Sequence, residues 1–346
     1  MKIGRALLTA VASAALSAVL LATADPAGFA ASASNAAEST SCELDGVARI
    51  VAVGDVHGAY DRFTEILRTA GVIDQDRHWS GGRTHLVQLG DVVDRGPDSR
   101  KALDFLMALE KEAAAAGGQV HALIGNHEVM RMLSDMRYVT PGEYEAFAAP
   151  DSATTREEIV NRQPENIREQ LMKELPLGSI EMRRAFLRTG QYGAWIRGHD
   201  AVVKINGIVF VHGGISQAVA PMPCQTINDT VRREVTEDLD ATLNAPLQSL
   251  AAREDGPLWY RGLAQEPEAA FAPQVDQILT DAHARAIVIA HTVTPTGRVT
   301  PRFGGRIIVM DTGMQPAYVP NGRASALEIA GDTRTAIYVD RKDPLP

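Results

Sequence analysis

The chain has 346 residues, of which 45% are hydrophobic and 22% charged, the composition of a folded globular protein and not of a disordered or fibrous one. With 34 Lys and Arg against 43 Asp and Glu, a formal charge of −9 argues against a protein that holds nucleic acid by its phosphates. Two cysteines, Cys42 and Cys224, are too few for a disulfide scaffold or an all-cysteine zinc site.

Lys2 and Arg5 precede an uncharged run from Ala6 to Ala22, and small-x-small sites follow at Ala22-Thr23-Ala24 and Ala31-Ser32-Ala33. This order reads as a signal peptide within residues 1–36, cleaved between about 24 and 36, so that the mature protein is periplasmic or secreted and keeps no stable membrane span. The alternative is an uncleaved anchor, but the run is Ala- and Ser-rich and shorter than the roughly 20 apolar residues of a span. In an oxidising compartment Cys42 and Cys224 can pair; two free thiols remain the other reading.

Arg49 to Val53 is a β-branched run that stops at Gly54, and Phe63, Ile66, Leu67 and Ala70 then recur at helical spacing, which predicts a strand, a loop and a helix. The same form returns at Thr84 to Leu89, followed by a helix from about Ser99 to Ala116, and at Gln119 to Ile124, followed by another helical start. Residues 133–190 carry Ile167, Leu171 and Leu175, then Met182 and Phe186, at helical spacing among many charges. They predict a helical insertion, either solvated or a lid. Val202 to Ile205 and Ile208 to Val211 flank Asn206-Gly207, a hairpin signature. Further strands are expected at Ala286 to Ala290, Arg306 to Met310, Ala326 to Ile329 and Thr335 to Val339, and these late strands suit a second sheet. The fold class is therefore α/β, an α+β sandwich of two sheets flanked by helices.

The chemical signals stand directly after predicted strands: Gly54-Asp55-Val56-His57-Gly58, Gly90-Asp91 through Asp94-Arg95-Gly96, Gly125-Asn126-His127-Glu128, His212-Gly213-Gly214 and Ala290-His291-Thr292. Loops at the carboxyl ends of strands can converge on one crevice. Asp, Asn and His suit borderline divalent metals, in numbers sufficient for two ions sharing a carboxylate. Singly each piece is weak: Asn126 can cap a helix and His212 can be a core histidine. Five such pieces after five strands carry weight together. Glu128 reads as loop support; Asp311-Thr312-Gly313-Met314 follows a strand and could line the site, although a structural turn is the better reading; and His78, His85, His121, His199 and His283 read as structural or surface residues.

The signatures LVQLGDVVDRGPDSR, LIGNHEVM, RYVTPGEY, FVHGGIS, GPLWYRG and AHT resemble the phosphoprotein-phosphatase type of calcineurin-like metallophosphoesterases, and most closely their bacterial Shewanella-like branch, from Leu44 to about Met314. The resemblance implies two central mixed β-sheets flanked by helices, in one domain spanning about 44–340. It implies that Asp55 and His57 bind a first metal, that Asp91 bridges both, and that Asn126, His212 and His291 complete the second. The metals would be Mn, Fe or Zn. Arg95 and Arg261 would bind phosphate, and His127 would be the general acid with Asp94 behind it. The family often has Gly where Ala290 precedes His291. The implied reaction is hydrolysis of phosphomonoesters, including phosphoproteins, by in-line attack of a metal-bridging hydroxide.

The residue types fit these roles on their own. Arg95 offers phosphate a planar, permanently charged fork, and His127 can protonate a leaving oxygen if Asp94 orients it. Hydrolysis of nucleotides or dinucleoside polyphosphates and a metal-binding pseudoenzyme are the competing functions. Oligomeric state is not readable from the sequence.

Overall fold

The computed structural model describes residues 41–237, 242 and 244–346, so the predicted signal peptide lies outside the described residues. In chain order the strands are β1 (Glu43–Leu44), β2 (Arg49–Val53), β3 (His85–Gln88), β4 (Gln119–Ala122), β5 (Val202–Ile205) and β6 (Ile208–Val211). They continue as β7 (Ala286–Ile289), β8 (Thr300–Arg302), β9 (Ile307–Val309), β10 (Ser325–Ala330), β11 (Thr333–Tyr338) and β12 (Lys342–Leu345). Two six-stranded sheets result, ordered β12-β11-β10-β2-β3-β4 and β1-β5-β6-β7-β9-β8. Both are mixed, with β2, β3 and β4 parallel in the first, and β6, β7 and β9 parallel in the second.

Period-two alternation decides which side chains meet. Ile50 and Ala52 of β2 face the space between the sheets, where Val87, Phe210, Val288 and Ile308 also lie. Val51 and Val53 point the other way, to the layer of α1 (Tyr60–Thr69) and α2 (Ser99–Ala115), whose Phe63, Leu67, Leu103 and Leu106 are buried there. Burying each such side chain contributes about 1.5–3 kcal/mol. The hairpin between β5 and β6 turns where its sequence predicts, with φ of 51° at Asn206 and 72° at Gly207, the left-handed pair that a tight turn requires.

One expectation is corrected. The late strands do not all enter the second sheet: β7 and β9 do, but β10 to β12 extend the first, with β10 antiparallel to β2 through Leu327↔Ala52 and Ile329↔Ile50. Pairing there covers an edge of β2 that would otherwise present unpaired backbone groups. The insertion, read as solvated or as a lid, packs mainly on the core and reaches the cleft at one residue. Its helices are α4 (Pro141–Phe147), α5 (Ser152–Asn161), α6 (Glu165–Glu174) and α7 (Ser179–Phe186), which follow α3 (Asn126–Met132). Phe147, Met182 and Phe186 pack into the main core, whereas Val160, Leu171 and Leu175 form a small cluster of their own. Of residues 133–190 only Tyr138 lines the cleft described below.

Cys42 and Cys224 form a disulfide, with Cα atoms 6.2 Å apart and 182 residues apart in sequence. It ties β1, held to β5 by two residue pairs, to the start of the helix Cys224–Glu234. Closing so long a loop restricts the unfolded chain, so Cys224→Ser should cost about 2–4 kcal/mol. Urea unfolding of the variant should match that of the reduced wild type, and a midpoint unchanged from the oxidised protein would contradict this.

Candidate metal centre and phosphate site

The loops after β2, β3, β4, β6 and β7 meet at the carboxyl ends of the parallel strands. Of the ten residues singled out in the sequence, Asp55, His57, Asp91, Arg95, Asn126, His127, Arg261 and His291 line one cleft. His212 and Asp94 lie directly behind it, against Asn126 and His127. A larger groove of about 190 Å³ beside the disulfide, lined by Val219, Met222 and Ile227, contains none of these groups.

Close approach of the backbone makes this convergence possible. A Cβ on Gly90, where φ is +88°, would stand 2.6 Å from the backbone of Gly125, and one on Gly125 would collide with the Asp91 carboxylate. The strain continues into non-glycine residues: His57, Asp91, Asp94, Arg95 and His291 all have φ between 48° and 71°. Each such conformation costs on the order of 1–3 kcal/mol and persists only where its surroundings enforce it. Ala290 is fully buried, and its N–H donates to the His212 carbonyl at 2.8 Å, so its methyl is accommodated.

The imidazoles are oriented from behind. His57 Nδ1 is 2.9 Å from the Val93 carbonyl and His212 Nδ1 is 2.7 Å from the Leu89 carbonyl, so each donates there and turns a bare Nε2 into the site. His57 Nε2 faces Asp55 Oδ2 and Asp91 Oδ2, both at 3.7 Å. His212 Nε2 faces Asn126 Oδ1 at 2.9 Å and Asp91 Oδ1 at 3.3 Å. His291 Nε2 is buried and has no partner. Lone pairs aimed at oxygen lone pairs are repulsive unless a cation lies between them, and a carbonyl behind each imidazole is the usual support of a metal-ligating histidine. The two oxygens of Asp91 thus face two separate donor sets.

Charge distribution agrees. Burial pushes the Asp55 carboxyl well above the usual range, and the Asp311 and Asp91 carboxylates add to the shift. Burial lowers His57 to about 4 and holds His291 well below its ordinary value, with His212 adding to the latter. Burial also opposes the charge on Asp91, but His212 and His127 outweigh it and hold that carboxyl well below the usual range. Crowded carboxylates beside two imidazoles, His57 and His291, whose protons burial disfavours, are the donor set of a borderline divalent cation.

His127 differs from the other imidazoles. Its Nδ1 is 2.6 Å from Asp94 Oδ2, and its Nε2 points into the cleft, 3.7 Å from Asp91 Oδ2. Burial works against its proton, yet Asp91 and the hydrogen-bonded Asp94 outweigh burial and raise its pKa. That Nε2 could share a cation with His57 and Asp91. A raised pKa favours a proton donor instead. Arg261 Nη1 donates to the His291 carbonyl and to Thr292 Oγ1, both at 3.0 Å, which places its guanidinium at the cleft beside His291.

Glu128 supports its loop as predicted, accepting from the N–H groups of Asp91, Val92 and Gly125 at 2.8–2.9 Å. Asp311 fulfils both of its readings, the less favoured one included. It makes the expected turn, accepting from Gly313 N at 2.9 Å, but it also lines the cleft against Asp55, in a sixth loop after β9. A carboxylate directly after a buried strand was the available signal. The sequence reading missed Arg131 and Glu143. Fully buried Arg131 pairs with Asp94 and, at 2.9 Å, with Glu143 Oε1. Glu143 in turn accepts from Asp94 N at 3.1 Å, Ser99 Oγ at 2.6 Å and Thr140 N at 2.9 Å. Thr140-Pro141-Gly142-Glu143 is a capping-box pattern, and Arg131 lies one helical turn after His127, so both had local signatures.

The family model for the calcineurin-like phosphoesterases matches residues 48–295. An uncharacterised protein of Schizosaccharomyces pombe is 32% identical over 83% of this chain and 79% of its own. Shewanella-like protein phosphatase 2 of Arabidopsis thaliana is 28% identical over 84% of this chain and 77% of its own. Among solved structures, a cold-active protein-tyrosine phosphatase of a psychrophilic Shewanella species superposes with a TM-score of 0.70 at 28% identity, covering 89% of this chain and 83% of that one.

Proposed function

The chain belongs to the calcineurin-like phosphoesterase family, and from that premise we propose a phosphomonoesterase acting on phosphorylated proteins, with two divalent ions held by Asp55, His57, Asp91, Asn126, His212 and His291. That it is a phosphatase follows from the family and from its phosphatase relatives. The observation that carries the finer reading is the pair of imidazoles, His57 and His212, whose bare nitrogens oppose different oxygens of Asp91. Divalent cations in such a site supply Lewis-acid charge to phosphoryl oxygens and a water nucleophile at neutral pH.

The chain's own groups do the rest. Arg95 and Arg261 present guanidinium edges to the terminal oxygens of the phosphate. Asp94 holds His127 with Nε2 toward the cleft, where it can donate a proton to the leaving oxygen. A monoester dianion has one more terminal oxygen and one more charge than a diester, so two arginines favour the monoester. Phosphatase relatives support a protein substrate. For location, the Cys42–Cys224 disulfide supports export to an oxidising compartment, in keeping with the predicted signal peptide.

A metal-reconstituted assay should compare phosphopeptides, nucleotides, an aryl phosphate and an aryl diester, with bound metals counted by mass spectrometry. Faster turnover of nucleotides would favour the competing hydrolase, and no turnover with metals bound would favour a pseudoenzyme. His127→Ala should retain its metals and lose about 100-fold or more on alkyl phosphates, but much less on nitrophenyl phosphate, whose leaving group needs little protonation. Equal losses on both, or loss of metal, would move His127 to another role.

A further inference from the structure

Arg95 differs from the other arginines near the centre in how it is held. Among the described residues no carboxylate pairs with it; its Nη2 lies 3.4 Å from His127 Nε2, and its Nε is buried without a partner. Its guanidinium carbon instead lies 3.7 Å from the ring centroid of Tyr318 and 4.7 Å from that of Tyr138. The two tyrosines come from distant segments and both line the cleft. Each is tied to the site: the Arg95 N–H donates to the Tyr138 carbonyl at 3.0 Å, and Tyr318 N donates at 3.1 Å to the carbonyl of Gln315, whose side-chain amide donates to the His57 carbonyl at 3.1 Å. The two residues are nonetheless 39% and 43% exposed, more than aromatic residues that serve only packing require.

A phosphate-binding guanidinium has two requirements that conflict. It must be immobile, because the rotamer freedom of a long side chain is otherwise lost on binding, and its N–H edge must be free. A carboxylate partner would immobilise it but would occupy that edge and offset its charge. Aromatic faces take only the faces of the guanidinium and leave the in-plane donors to the phosphate.

We propose that Tyr138 and Tyr318 are positioning residues that clamp Arg95 between their rings and so set the affinity of the site for phosphate. The inference rests on the phosphatase reading of the site. Tyr138→Leu and Tyr318→Leu should each raise the inhibition constant of inorganic phosphate and lower kcat/KM for an aryl phosphate by roughly 3- to 30-fold. Phe at either position should restore both values, because the ring face and not the hydroxyl holds the guanidinium. In an Arg95→Ala background the Leu substitutions should have no further effect.

The controls separate the two ideas. If Arg95→Ala leaves phosphate inhibition and kcat/KM unchanged, the phosphate-arm reading fails and the clamp fails with it. If Arg95→Ala is damaging but the Leu variants match wild type, or add their full effect to Arg95→Ala, only the clamp is overturned. Circular dichroism and thermal melts of the Leu variants check that they are folded, and the Phe variants decide the question should a Leu variant unfold.

Discussion

Replacing Asp91 by Asn should reduce turnover by roughly 100- to 10,000-fold, and bound metal per chain should fall with it. The substitution keeps the shape of the side chain and its acceptor toward the His127 N–H, 2.9 Å from Oδ1, but removes the charge shared by two donor sets. With that acceptor kept, its amide would also turn N–H donors toward His57 Nε2, which faces the other oxygen. Removing one member of a buried charged arrangement costs about 3–5 kcal/mol, and each 1.36 kcal/mol is tenfold in rate. Steady-state kinetics on an aryl phosphate, with metal content measured on the same preparation, provides the check. Two retained ions and near-normal activity would remove Asp91 from the bridging position.

Arg131→Met should destabilise the protein by about 3–5 kcal/mol at neutral pH, because it leaves Asp94 and Glu143 buried without their cation. Asp94 also supplies the sign of the pH dependence. In the wild type burial opposes its charge, but Arg131 and His127 outweigh burial and depress its pKa. The pair therefore contributes stability above the unfolded pKa of Asp94 and loses it as pH falls through the depressed folded value. Without Arg131 the largest charge opposing burial is gone and the folded pKa rises, so the variant's deficit should narrow toward acid pH. Urea unfolding at pH 7 and near pH 4.5 would show this, and a deficit independent of pH would assign Arg131 a packing role only. Activity should fall as well, since Asp94 orients His127.

Arg131 also shows how the insertion meets the chemistry. Its Nη1 contacts the Met182 sulfur of α7 and its Nη2 contacts Glu143 of α4, so the insertion supports the His127–Asp94 pair from behind without covering the cleft. The helical spacing of residues 133–190 predicted helices correctly but could not indicate their side of the site. Helical periodicity specifies a buried face and not the surface that buries it.

The metal-ligand candidates were legible because each is local. A β-branched strand and a donor residue within two or three positions, with a glycine alongside in every case but His291, specify both the element and its carboxyl end, so Asp55, His57, Asp91, Asn126, His212 and His291 could be read in chain order, and the family resemblance gave them their roles. Asp311 obeys the same rule after β9, but a turn aspartate and a cleft aspartate have the same local pattern.

What the sequence alone could not decide depends on residues far apart in the chain. The pairing of β10 with β2, the approach of both Tyr138 and Tyr318 to Arg95, and the bond between Cys42 and Cys224 each join segments more than 100 residues apart. The direction of the His57 and His212 lone pairs was equally hidden, because it is set by the carbonyls of Val93 and Leu89. Local pattern determined which chemical groups this protein carries and at which strand ends; sheet pairing and backbone strain, enforced only by the packed whole, decided how those groups face one another.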